Sequence, residues 1–101
     1  MAPEALSRQQ IDEALSGLPG WQADGDTLAR TYAFDTHLPA AAMALHVAMI
    51  QDELNHHAEL TLGYNRLGIA VNTHSAGGRI TELDTTLARR ITEIAAGHGA
   101  R

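Results

Sequence analysis

Apolar positions along this chain fall first at helical spacing, then at strand spacing, and the cycle repeats before a last helical stretch. Ser7 and Gln10 stand at the spacing of a capping box, with Leu6 before the cap and Ile11 beyond it able to form a hydrophobic staple. Ile11, Ala14, Leu15 and Leu18 continue one helical face for about three turns, and Leu18-Pro19-Gly20 supplies the stop. Trp21 to Ala23 and Leu28 to Phe34 flank the turn signal Asp24-Gly25, and Leu28, Tyr32 and Phe34 alternate with Ala29, Thr31 and Ala33, which predicts a hairpin. Pro39 suits only a first helical turn, so a second helix should open between Asp35 and Leu38. Met43, Val47, Ile50 and Leu54 carry its buried face as far as Asn55-His56-His57-Ala58-Glu59.

Past the histidines, Leu60, Leu62 and Tyr64 alternate with Thr61 and Gly63, and Asn65-Arg66 can turn the chain into Leu67, Ile69 and Val71, a second hairpin. Ser75 to Gly78 reads as a flexible loop. Thr81 with Asp84 three residues on resembles another capping box, and Leu83, Leu87, Ile91 and Ile94 give the last helix its buried stripe. The terminal Gly-His-Gly-Ala-Arg is expected to fray. The order is helix, two strands, helix, two strands, helix. That order predicts an α+β fold in which three helices cover one face of an antiparallel sheet, the other face meeting solvent or another subunit.

Composition narrows the reading. At 101 residues, with 45% hydrophobic and 19% charged residues, the chain has apolar material for one core and one domain over residues 1–101. The net charge is -5 and the seven Lys plus Arg are scattered, so no basic footprint for nucleic acid is present. The absence of cysteine removes disulfides, thiolate nucleophiles and cysteine metal sites. Neither a secretory signal nor an apolar run of about 20 residues is apparent, so a soluble, cytoplasmic protein away from membranes is expected.

The candidate chemistry lies in the six histidines. His56 and His57 close the second helix, and His74 ends the last strand of the hairpin that follows; because a hairpin runs out and back, His74 should return beside His57. Imidazole changes charge roughly between pH 5 and 8, so three together can give and take protons at neutral pH. Against this stand histidines that merely satisfy carbonyls or face solvent, and a zinc site on His56, His57 and His74. Helical zinc sites favour histidines four apart, and no HExxH occurs. No GxSxG surrounds Ser7, Ser16 or Ser75, and Gly77-Gly78 lacks the Lys and Ser or Thr of a phosphate loop. His37, His46 and His98 read as surface or core residues, Trp21 and Tyr64 as core or as a stacking platform. Asp84 can cap its helix or orient an imidazole and fix its tautomer.

The run DELNHHAELTLGYNRLGIAVNTHSAGGRITELD, Asp52 to Asp84, resembles the signature of the pterin-4a-carbinolamine dehydratase family, and the likeness extends through LPGW and TLARTYAFD. His56, His57 and His74 occupy the three histidine positions, Tyr64 the aromatic one and Asp84 the closing aspartate. The resemblance implies a four-stranded sheet with three helices on one face, assembled as dimers or tetramers. It implies dehydration of 4a-hydroxytetrahydropterin to quinonoid dihydropterin without metal or organic cofactor. His57 and His74 would transfer protons, His56 would bind and assist as acid, Asp84 would hold a histidine in its tautomer, and Asp52, Glu59, Tyr64 and Thr73 would contact the pterin. Relatives also act as a dimerisation partner of a transcription factor or in assembly of carbon-fixing complexes, so a non-catalytic protein-binding module is the rival reading. Two departures stand out. The family usually has Pro after the paired histidines, where Ala58 should loosen the joint that aims both rings. The span from His74 to Asp84 is one residue longer than usual, so the resemblance carries the catalytic role to Asp84 less firmly than to the histidines.

Overall fold

In the computed structural model, which describes residues 3–101, the elements follow the expected order: α1 (Arg8–Leu15), β1 (Gln22–Asp24), β2 (Thr27–Ala33), α2 (His37–Leu54), β3 (Glu59–Leu62), β4 (Arg66–Val71) and α3 (Glu82–Ala95). The strands form a four-stranded antiparallel sheet in the order β1-β2-β4-β3. The two hairpins therefore join through β2 and β4, with β1 and β3 at the edges.

Register decides which face is buried. Leu28 lies opposite Val71, Tyr32 opposite Leu67, and Leu60 opposite Ile69; residues paired directly across a ladder share a face. These side chains meet Met43, Val47 and Ile50 of α2 and Leu87, Ala88 and Ile91 of α3 in one contiguous core. The opposite face carries Ala29, Thr31, Thr61, Gly68 and Ala70, small side chains that no helix covers.

The local signals operate as expected at both caps. Ser7 and Gln10 form a reciprocal capping box, as do Thr81 and Asp84. Gly25, at a φ of 61°, closes the first hairpin in the left-handed conformation that a tight turn requires. Pro39 lies in the first turn of α2.

Several expectations need correction. Helix α1 ends at Leu15, one turn early, because Gly17 and Leu18 bond back to Ala14 and Leu15 in a tighter turn. Tyr64 belongs to the turn between β3 and β4 and not to a strand. His74 opens a short 3₁₀ turn, His74–Ala76, because the strand ladder stops at Val71. Leu83 is exposed, and the buried stripe of α3 runs through Asp84, Leu87, Ala88, Ile91 and Ala95. The tail does not fray. Ala33 and Arg101 exchange backbone hydrogen bonds of 2.9 Å each along the part of β2 that β1 leaves open, and the Arg101 guanidinium reaches Asp35 at 2.7 Å.

Candidate active site

Helix α2 ends at Asn55, whose φ of 52° is left-handed and turns the chain out of the helix; asparagine tolerates that conformation better than most residues. The next two residues are the paired histidines, and the turn sends their rings to different carboxylates. His56 Nε2 donates to Asp84 Oδ1 at 2.6 Å, and His57 Nε2 to Asp52 Oδ1 at 2.8 Å. The environments differ: the side chains of His56 and Asp84 are 11% and 0% exposed, those of His57 and Asp52 53% and 81%. One imidazole is anchored inside the protein, and the other stands at its surface.

Asp84 is held from both sides. Its Oδ2 accepts from the Thr81 amide at 2.8 Å and from the Thr73 hydroxyl at 2.8 Å, while Thr73 Oγ1 lies 2.7 Å from Thr81 Oγ1. The Leu83 amide donates to Thr81 Oγ1. With Thr73 spending its proton on Asp84, Thr81 must donate to Thr73, so the hydroxyls form a directed chain ending on the carboxylate. A carboxylate accepts only, so the facing nitrogen of His56 carries the proton and its Nδ1 is the nitrogen left free. Asp84 thus caps α3 with one oxygen and orients an imidazole with the other.

His74 follows Thr73 directly and is exposed. Between His74 and Asp84 the chain folds back locally, and Asp84 lies within hydrogen-bond reach of His56. Thr73 pairs with Arg79 across an isolated bridge, its carbonyl accepts from Ala76 and Gly78, and Gly77 and Gly78 turn at φ of 74° and 78°.

The remaining expected site residues lie elsewhere. Glu59 is exposed at the start of β3, paired with Ala70 on the helix-free face. Tyr64 is at the far end of the hairpin from His57 and His74, its ring stacked on His37 at 5.8 Å, with its carbonyl accepting from His37 Nδ1 at 2.6 Å. Within one chain it does not join the histidines. Among the described residues, no group of three or more His, Cys, Asp or Glu side chains is disposed to hold a metal ion.

The sequence and the architecture match a known family. The family model for pterin 4 alpha carbinolamine dehydratase matches residues 4–94. The chain belongs to this family. A relative from Streptomyces coelicolor, provisionally named a pterin-4-alpha-carbinolamine dehydratase, is 54% identical over 99% of both chains. One of the same provisional name from Thermomicrobium roseum is 43% identical over 89% of this chain and 96% of that one. A crystal structure of a transcriptional coactivator/pterin dehydratase from Brucella melitensis superposes with a TM-score of 0.84 at 34% identity, covering 90% of this chain and 98% of that one. A pterin dehydratase-like RuBisCO assembly factor of the alpha-carboxysome shares the fold, with a TM-score of 0.60 at 20% identity over 74% of this chain and 86% of that one.

Two residues around this dehydratase-family site escaped sequence reasoning. Thr81 was expected only as a cap, and its fully buried hydroxyl also feeds the Asp84 network. Gln51 is 4% exposed, and its side-chain oxygen accepts from the Ala58 amide at 2.7 Å. The available signal was its position: four residues after Val47 and one after Ile50, it is a polar residue on an apolar helical face.

Proposed function

We propose that this chain is a dehydratase that converts 4a-hydroxytetrahydrobiopterin to quinonoid dihydrobiopterin and water, in tetrahydrobiopterin recycling. The observation that carries the reading is the buried Asp84 bonded to His56 beside a second, exposed histidine on its own carboxylate. A histidine needed only to satisfy a carbonyl would require neither.

In the reaction, the C4a–O bond breaks with its electron pair leaving on oxygen, and an imidazolium delivers a proton so that water departs. A ring N–H gives its proton to a neutral imidazole, and the nitrogen electron pair forms the new double bond to C4a. Atoms balance without an oxidant or reductant. His57 and His74 are assigned the proton transfers, because both are exposed. His56, whose Nε2–H is held by Asp84, presents Nδ1 as an acceptor for binding when the ring is neutral and as a proton donor for acid assistance when the ring is the imidazolium. Asp52 orients His57, Thr73 acts through Asp84, and Glu59 is left to contact the pterin edge. Tyr64, remote from the histidines of its own chain, would serve a pterin only at a site formed with another subunit.

The test is the dehydration rate of freshly generated 4a-hydroxytetrahydrobiopterin with wild type, His57→Ala and His74→Ala. A placed acid or base contributes about 10²- to 10⁴-fold, so each substitution should lower turnover by that range. No acceleration by the folded wild type would refute the reading.

A second reading has one observation in its favour. Leu38, Leu45 and Met49 are exposed on α2, and their spacings of seven and four place them on one stripe. Such a stripe suits a homodimer or homotetramer built through α2, or a protein partner of a non-catalytic assembly module.

A further inference from the structure

We propose that Gln51 is a positioning residue for the histidine pair, a role that rests on the catalytic reading of His56 and His57. Its two oxygens bracket that pair. The main-chain carbonyl of Gln51 accepts from the His56 amide at 3.1 Å, and the side-chain oxygen accepts from the Ala58 amide at 2.7 Å. Both bonds reach from the last turns of α2 to the segment that leaves it, so the backbone on either side of His57 is tied to one buried residue of that helix. From that backbone His56 reaches Asp84 and His57 reaches Asp52.

The chemistry at position 58 explains why such a residue is needed. A proline there would fix φ by its ring and would present no N–H. Alanine leaves φ free and adds a donor in a partly buried place, where an unmet N–H is costly. Gln51 removes both consequences with one bond: it satisfies the donor and restrains the joint. An amide nitrogen facing the Ala58 N–H would be donor against donor, so the oxygen assignment is unambiguous. The loosening expected from Ala58 is therefore countered by a side chain seven residues earlier.

Gln51→Met keeps length and volume but lacks a strong acceptor, Gln51→Glu keeps an acceptor at the same reach, and Gln51→Asn draws it back by one methylene. Misplacing a catalytic group by about 1 Å can cost 10²-fold, so Q51M and Q51N should each lose about 10- to 100-fold in kcat with KM little changed. Q51E should retain kcat within about threefold, and Ala58→Pro added to Q51M should restore much of the loss, since the donor is then gone. A purely structural glutamine would lower the melting temperature of Q51M and Q51N without changing kcat in the folded protein, and that result overturns the proposal. If Q51M does not fold, Q51N decides by the same criterion. Imidazole ¹⁵N spectra and amide exchange separate this idea from the reading it rests on. If wild type shows no dehydratase activity, loss of Ala58 protection together with altered His56 and His57 ring signals in the folded variant still supports positioning. Unchanged ring signals overturn it.

Discussion

Asp84 accepts the Nε2 proton of His56 on one carboxylate oxygen, while its other oxygen caps the helix on which Asp84 itself stands. Helix start and imidazole orientation are thus set by a single buried group. Asp84→Asn keeps the volume but can present an oxygen to only one side. Whichever way its amide turns, an N–H faces either His56 or the donors Thr81 and Thr73. Turnover is expected to fall about 10²-fold and stability by about 1–3 kcal/mol, read from initial rates and urea titration. Full turnover in the folded variant would mean that His56 needs no aspartate.

The hydroxyl chain from Thr81 through Thr73 to Asp84 makes a separate prediction. Thr81→Ala loses the cap of α3, typically about 1 kcal/mol, and Thr73→Val leaves Asp84 one donor short at a cost of about 1–3 kcal/mol. Because Thr81 acts on Asp84 partly through Thr73, the double variant should be destabilised by less than the sum, with a coupling of about 1 kcal/mol. Chemical denaturation of the four proteins measures this. Strict additivity would show that the two hydroxyls act independently.

What was legible in the sequence was local. Caps such as Ser7 with Gln10, and helical faces such as Met43, Val47 and Ile50, are written within a few residues, and both hairpins announce themselves by alternation. The histidine pair was legible because adjacency at a helix end is unusual. Thr81 with Asp84 was legible as a cap, and Asp84 as a possible orienting group, but only the fold shows that the carboxylate serves both. Contacts between distant segments were not legible. His46 Nδ1 lies 2.8 Å from His98 Nε2 across 52 residues, and nothing in the spacing links them. The early end of β4 moved His74 from a strand into a 3₁₀ turn, since alternation marks where a strand can run and not where its partner stops.

That His46–His98 contact, with the Ala33–Arg101 pair, docks a tail whose composition suggested fraying. His98→Ala should cost about 1 kcal/mol, the usual worth of one hydrogen bond. It should also speed exchange of the Ala33 amide, which donates to Arg101. Turnover should be unaffected, because neither residue touches the His56 and His57 network. A loss of turnover equal to that of His57→Ala would place the tail in the site instead.

The exposed stripe of Leu38, Leu45 and Met49 faces water on a helix whose other side is packed in the core. Fully burying a leucine or methionine stabilises by about 1.5–3 kcal/mol, so pairing three such residues with a second copy supplies several kcal/mol per protomer against the cost of association. Wild type is therefore expected to sediment as a dimer or tetramer at micromolar concentration. Leu45→Glu or Met49→Glu should shift it to monomer, since each places a charge that a dry interface would have to bury. The melting temperature of the monomer, extrapolated to low concentration, should change little, because neither side chain contributes to the core of its own chain. A monomeric wild type would remove self-association as the use of this stripe and leave a protein partner as the reading to pursue. An unchanged oligomer in both variants would instead move the interface to the uncovered sheet face of Ala29, Thr31, Gly68 and Ala70, where small side chains allow two sheets to approach closely.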